Sequence, residues 1–205
     1  MKRCFDLVLC IIALLLLAPL LVVIACLVIL QDGKPIFYRQ ERVGYKGRVF
    51  RIWKFRSMQV NADKFGESIT KSGDPRVTPV GAWLRKTKLD ELPQLLNVFR
   101  GEMSFVGPRP EVPKYVQFYT PEQRKVLDLM PGITDLASVE FRNEEELLAK
   151  ADNMEDFYVN YCIPRKIELN LKHASRASIW ADLSVILATL KVLVRRQRAS
   201  RTGSH

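Results

Sequence analysis

Residues Leu7 to Leu30, LVLCIIALLLLAPLLVVIACLVIL, run for 24 positions without a charge. At ~1.5 Å per residue a helix of this length reaches ~36 Å, enough to cross a ~30 Å hydrocarbon core. The run is longer than a signal-peptide core and carries no small-residue cleavage site, so it predicts a retained membrane segment. Lys2 and Arg3 precede it, and Lys34, Arg39, Arg42, Lys46, Arg48 and Arg51 follow it. Both flanks therefore prefer the cytoplasmic side, and a single span can satisfy only one of them. Ala18-Pro19 stands mid-run, where proline removes a backbone donor and crowds the preceding turn. Two paths fit these residues: a kinked single span, which proline tolerates in membranes, and a helix-break-helix over residues 1–33 that enters and leaves by one leaflet. On these residues alone the span is marginally favoured.

Outside the run the chain is basic. Its 205 residues hold 32 Lys and Arg against 22 Asp and Glu, a net charge of +10. The natural partners are anionic: nucleic acid, phosphorylated small molecules or acidic lipid. The basic residues are spread over membrane-flanking sequence and form no nucleic-acid motif, so nucleic acid is set aside. Cys4, Cys10, Cys26 and Cys162 show no metal-ligand spacing, and the histidines are His173 and His205 alone. Structural zinc and a disulfide framework are poorly supported, in keeping with a reducing cytoplasmic side. Neither a P-loop nor a G-x-G-x-x-G fingerprint occurs.

About 170 residues follow the apolar run, enough for one domain with a core. Ile36 to Met58 is aromatic, β-branched and basic around Gly44-Tyr45-Lys46-Gly47, which predicts a β-hairpin. Short helices are expected over Ala82–Lys88, Pro93–Phe99, Glu122–Met130, Glu144–Ala151 and Glu155–Cys162. Val106-Gly107-Pro108-Arg109-Pro110 is too punctuated for regular structure. From about Ser175 to Arg196, Ile179, Leu183, Ile186, Leu187, Leu190 and Val194 recur at helical steps, with Trp180 beside them and Lys191, Arg195, Arg196 and Arg198 near the end. That pattern suits either a helix lying on an anionic membrane surface or a core helix with a solvated basic tail. The expected fold is mainly α with a small β-hairpin (α+β). It has a membrane segment over 1–33, a globular domain over 34–200 with a C-terminal helix at about 175–196, and a tail over 201–205. Gly203-Ser204-His205 is set aside as a candidate vector-derived scar.

The chemistry gathers in Lys88-Leu89-Asp90-Glu91-Leu92-Pro93. Pro93 suits the first turn of a helix and leaves Asp90 and Glu91 at its N-terminal end. Acids there either complement the helix dipole, worth ~0.5–2 kcal/mol, or divide into a carboxylate nucleophile and a metal ligand. Magnesium takes one or two carboxylates and fills its shell with water and substrate phosphates. Arg109, fixed between Pro108 and Pro110, is either an exposed turn residue or a bidentate phosphate ligand. Lys54, Arg56 and Arg85 are further phosphate candidates.

These stretches occur together and in order: Pro35 to Gly44, Lys54 to Met58, Asp74 to Gly81, Leu84-Arg85, Leu89 to Val98, Met103 to Pro110, and Pro131 to Thr134. The set resembles the bacterial sugar transferase family, the monotopic phosphoglycosyl transferases, in its minimal catalytic form. The resemblance implies transfer of a sugar-1-phosphate from a UDP-sugar to a polyprenyl phosphate such as undecaprenyl phosphate, with release of UMP. It implies Asp90 as nucleophile, Glu91 as the Mg²⁺ ligand, and a re-entrant membrane helix broken at Pro19 on the cytoplasmic face of the bacterial inner membrane. Pro19, Pro108 and Pro110 are then expected near the polyprenyl chain and the lipid interface. Members often follow Pro-Gly-Ile-Thr with Gly where this chain has Asp135, and many carry Ser-Pro where it has Ala18-Pro19. Two other classes remain. A basic membrane-anchored recruiter would bind anionic lipid without either carboxylate. A phosphohydrolase using an aspartyl phosphate is disfavoured because no D-x-D pair lies near Asp90.

Overall fold

The computed structural model describes residues 2–62, 74–141, 144–176 and 178–202. The apolar run becomes one helix, α1 (Lys2–Asp32), with Pro19 inside it. Helical geometry is continuous where the sequence predicted an interruption. Pro19 has no N–H for the Leu15 carbonyl, yet packing holds the helix on both sides of it. Cys10, Ala13, Leu14 and Leu17 sit against Ile52, Leu95, Val98 and Met103. Beyond the proline, Leu21, Ile24 and Val28 sit against Phe55 and Leu84. The three- and four-residue steps of these positions make one stripe. On the opposite side Leu15, Leu16, Val22, Val23 and Leu30 are exposed.

Both ends of α1 are tied to the same body. Arg3 donates to the carbonyls of Val98 (2.6 Å) and Phe99 (2.9 Å), and Lys2 pairs with Asp182. At the other end the Gln31 side chain accepts from the Val80 amide (2.9 Å), and Arg56 Nη2 donates to the carbonyls of Asp32 (2.7 Å) and Gly33 (2.9 Å).

The predicted hairpin is present: β1 (Phe37–Val43) pairs antiparallel with β2 (Val49–Phe55), joined through a 3-10 turn at Tyr45–Gly47. Next comes α2 (Pro79–Thr87), with the Thr78 hydroxyl capping the Gly81 amide at 3.0 Å. A left-handed Lys88 (φ 59°) ends α2 and starts the 3-10 turn Leu89–Gln94, which leads into α3 (Leu95–Arg100). Pro93 thus lies inside a 3-10 turn, not at the head of an α-helix.

A second, parallel pair was not foreseen. It consists of β3 (Ser104–Val106) and β4 (Gly132–Thr134), three residues each. Between them lies the short α4 (Pro113–Val116) and a 3-10 turn, Gln123–Asp128, where an α-helix was expected. α5 (Leu136–Glu140), α6 (Glu144–Ala149), α7 (Met154–Phe157) and α8 (Ile163–Ala174) form the C-terminal layer. A π-helical turn, Tyr158–Cys162, joins α7 to α8. Val112, Tyr115, Val126, Ile163 and Ile167 make the core of this layer.

α9 (Ile179–Thr202) starts later than predicted. Its inner edge is held by buried Asp182 and Val185 and by a Thr189–Thr134 hydroxyl contact of 2.6 Å. Trp180 on its outer side is 80% exposed, with Leu187 and Leu190 also exposed. The side chains of Arg195, Arg196 and Arg198, and residues 203–205, lie outside the described part.

Two contacts that seat α2 give expected results. A Cβ on Gly81 would fall inside contact distance of the Ser57 carbonyl. Gly81→Ala should therefore cost about 1–3 kcal/mol, read as a lower denaturant midpoint. Just upstream, hydrogen bonds from Arg76 hold the Asp74 carboxyl at about 2. The folded value lies below the unfolded ~3.9. This contribution is full above the unfolded value and is lost as pH falls towards the folded one. Unfolding temperature should fall between about pH 4 and pH 2, and less steeply in Asp74→Asn.

Candidate active site

Asp90 and Glu91 lie in the first turn of the 3-10 segment Leu89–Gln94, directly after the left-handed Lys88. Asp90 is 6% exposed, and its Oδ1 has no hydrogen-bond partner. Burial raises its carboxyl above the usual range and the Glu91 charge adds to this, with Lys54, Lys88 and Arg85 pulling the other way. Glu91 behaves oppositely. Burial pushes it up, but the charges of Arg109 and Lys54 and a hydrogen bond from Arg109 outweigh that and hold it well below the carboxylate range. Arg109 Nη1 donates to Glu91 Oε2 at 3.1 Å, its Nη2 donates to Oε1, and Lys54 Nζ reaches Oε1 at 3.1 Å. The Glu91 charge in turn raises Arg109, while burial lowers Lys54. One carboxylate is thus a fixed anion inside a cationic clamp, and its neighbour is buried with Oδ1 unpaired.

Arg109 is placed by the parallel strand pair. Gly107 donates to the Thr134 carbonyl (3.0 Å), and Gly132 to the Pro108 carbonyl (3.1 Å). The chains approach so closely that a Cβ on Gly107 would collide with the Met130 carbonyl. The Arg109 amide donates to Asp135 Oδ2 (3.2 Å), which also accepts from Asn170 (2.7 Å). Asp135 Oδ1 caps α5 through the Ser138 amide at 2.6 Å. The residue that departs from the family pattern therefore holds the arginine loop in place.

Asp90, Lys54, Arg56, Arg85, Arg109, Pro108 and Pro110 line one cavity of about 600 Å³. Glu91 reaches it through its two cations. Pro19 does not line it and is exposed on α1. Pro108 and Pro110 flank Arg109 in the cavity wall. Arg56, read from sequence as a phosphate ligand, spends Nη2 on the end of α1, while its Nε and Nη1 are buried without partners.

Sequence reasoning missed three residues that share this cavity: Arg42, Glu111 and Tyr158. Arg42 had been counted among the membrane-flanking charges. The available signal was strand alternation, which puts Tyr38, Gln40 and Arg42 on one face of β1, and all three line the cavity.

Arg109 and Lys54 already engage both oxygens of Glu91, so a magnesium ion held there would share them. Hard cations of this size take one or two carboxylates plus water and phosphate oxygens, and the orphaned Asp90 Oδ1 lies beside Glu91. Among the described residues no group of three or more His, Cys, Asp or Glu could hold a metal. Water and substrate would therefore complete the shell.

A buried carboxylate with one oxygen unpaired thus stands next to clustered Arg and Lys, beside a long apolar helix. Comparison with known proteins then places the chain: residues 1–196 match the family model described as bacterial sugar transferase, and the chain belongs to that family. It is 36% identical over 204 residues to the exopolysaccharide production protein ExoY of Sinorhizobium fredii, covering 92% of this chain and 83% of that one. It is 41% identical over 152 residues to a putative undecaprenyl-phosphate N-acetylgalactosaminyl 1-phosphate transferase of Bacillus subtilis, covering 74% and 81%. It is 37% identical over 199 residues to the UDP-glucose:undecaprenyl-phosphate glucose-1-phosphate transferase of Escherichia coli, covering 93% and 39%. The chain thus spans most of the shorter relatives but only 36–39% of longer ones such as the Escherichia coli enzyme and the galactosyl transferase CpsE of Streptococcus agalactiae.

Proposed function

We propose that this protein is a phosphoglycosyl transferase that moves a sugar-1-phosphate from a UDP-sugar to a polyprenyl phosphate and releases UMP. The observation that carries the reading is the orphaned, buried Asp90 Oδ1 beside a Glu91 clamped by Arg109 and Lys54. Asp90 attacks the sugar-bearing β-phosphorus. The bond from that phosphorus to the bridging oxygen breaks, and UMP leaves with the oxygen and its electron pair. The phosphosugar stays on Asp90 as an acyl phosphate. An oxygen of the polyprenyl phosphate then attacks the same phosphorus, which frees the carboxylate and yields a polyprenyl diphosphate sugar. Splitting the transfer into two displacements is the general advantage of a carboxylate nucleophile. Mg²⁺ on Glu91 would supply charge neutralisation at the diphosphate. Arg109 and Arg85 offer further cationic donors to the equatorial oxygens. A cavity of about 600 Å³ lies in the usual range for small-molecule sites. Incubating the protein with UDP-sugars, Mg²⁺ and polyprenyl phosphate should release UMP. No UMP from any UDP-sugar would overturn the reading.

The acceptor's tail cannot leave lipid cheaply, so the site must sit at a membrane surface. α1 is long and apolar enough to cross a membrane, but one globular body holds both of its ends. This supports a monotopic placement in which α1 lies along the body, on the cytoplasmic face that both basic flanks prefer, with exposed Trp83, Phe99 and Trp180 at the interface. Cysteines placed at positions 2 and 34 should both be labelled by a membrane-impermeant thiol reagent from the same side. Labelling from opposite sides would establish a true span.

A further inference from the structure

The cavity has a wall that the phosphate chemistry leaves unused. Glu111 lies on it. Its Oε2 accepts from the Tyr158 hydroxyl (2.5 Å), and its Oε1 accepts from the Val112 amide (2.8 Å) and lies 3.5 Å from Arg42 Nη1. Arg42 also donates to the Pro110 carbonyl (3.1 Å) and to Gln40 (2.7 Å), and its Nε is buried with no partner. A buried donor left unpaired marks a place where a ligand or water completes the bonding. Tyr158 also begins the π-helical turn Tyr158–Cys162, a rare distortion that recurs at functional sites. An unanswered donor and a local distortion thus meet on one cavity wall.

Position and charge narrow the ligand. α1 rests on α2, α3 and β3, whereas Glu111 and Tyr158 come from the segments around α4 and α8. An acceptor arriving along α1 therefore reaches the Asp90 side first, and this wall is left to the donor nucleotide. Asp135 and Glu144 line the cavity as well. Ionised carboxylates only accept hydrogen bonds. They match hydroxyl donors, on the ribose as on the transferred sugar, and the affinity for UDP alone separates the two; Glu144 is paired with Lys166 on the same wall.

Building on the transferase reading, we propose that Arg42, Glu111 and Tyr158 form the subsite that reads the hydroxyl pattern of the transferred sugar. Glu111 and the Tyr158 hydroxyl, whose own proton goes to Glu111, accept from sugar hydroxyls, and Arg42 Nε donates to a sugar oxygen. The test compares wild type, Glu111→Gln and Tyr158→Phe on two pairs of C4-epimeric UDP-sugars, the glucose and galactose pair and their N-acetylamino counterparts. It measures kcat/KM for UMP release, and separately the affinity for UDP alone. Removing a group that bonds a substrate hydroxyl should shift the epimer preference by about tenfold or more, with UDP affinity unchanged. An equal loss on both epimers makes the wall purely structural and overturns the inference. A loss of UDP affinity matching the loss on UDP-sugars assigns the wall to the nucleoside and overturns it too. Should Glu111→Gln fail to fold, Tyr158→Phe keeps the ring and carries the test alone. Wild-type protein that releases no UMP from any of the four fails the transferase reading itself, an outcome visible before any variant is compared.

Discussion

Asp90→Asn should abolish UMP release from UDP-sugars, with a loss of ~10⁴-fold or more in kcat. The amide is nearly isosteric with the carboxylate, so the 3-10 turn Leu89–Gln94 keeps its shape. What is lost is the anionic oxygen that forms the bond to phosphorus. The environment sharpens the expectation. Oδ1 is buried and accepts no hydrogen bond, so nothing in the folded chain uses it for structure. A capping acid, the other reading of Asp90 from sequence, would be satisfied by backbone amides, and its replacement would lower stability more than rate. Equal turnover by Asp90→Asn would reject the nucleophile assignment. A lowered unfolding temperature with rate intact would return Asp90 to a capping role.

Arg109→Ala should cost ~10²–10³-fold in kcat, and Arg109→Lys should restore only part of it. The guanidinium grips both oxygens of Glu91, a two-point contact that an ammonium cannot copy. The backbone of residue 109 is fixed separately, through its amide on Asp135 and the Gly107–Thr134 and Gly132–Pro108 bonds. Truncating the side chain should therefore leave the loop in place. Glu91 would then keep one cation, Lys54, and its carboxyl would rise from its depressed value. The steady-state signature is a fall in kcat with little change in KM, because the arginine's charge matters most as charge builds on the transferring phosphoryl group. A variant with unchanged kcat and raised KM would make Arg109 a ground-state binding residue instead.

How much of this was legible in the sequence follows the range of the interactions involved. Local patterns were readable. The aromatic and β-branched run of residues 36–58 around the turn at residues 44–47 predicted the hairpin, and the punctuation of residues 106–110 predicted the irregular arginine loop. Lys88 to Pro93 drew attention because Pro93 suits a helix start with two acids at its N-terminal end, and the roles of Asp90 and Glu91 came from the family resemblance. Long-range pairings were not readable. β3 and β4 are three residues each and almost thirty positions apart, too short for any periodic signal, yet their pairing positions Arg109. No helix was expected over α8, where Pro164 sits in the first turn, a position that proline tolerates well. Arg42 was assigned to the membrane flank on proximity in sequence, and only the hairpin's register turns it into the cavity. For α1, composition argued for a crossing and Pro19 for a break. Neither could show that a single body holds Arg3 and Asp32 alike.

The central claim is a covalent phosphosugar on Asp90, and one experiment meets it directly. The protein is mixed with a UDP-sugar and Mg²⁺ in the absence of any polyprenyl phosphate, and both released UMP and intact protein mass are followed. The account predicts a burst approaching one UMP per protein chain and a matching mass increase of one sugar phosphate. Proteolysis should place that mass on the peptide containing Asp90, and adding polyprenyl phosphate should discharge it. UMP release that requires the acceptor, with no adduct at any time, would contradict the account.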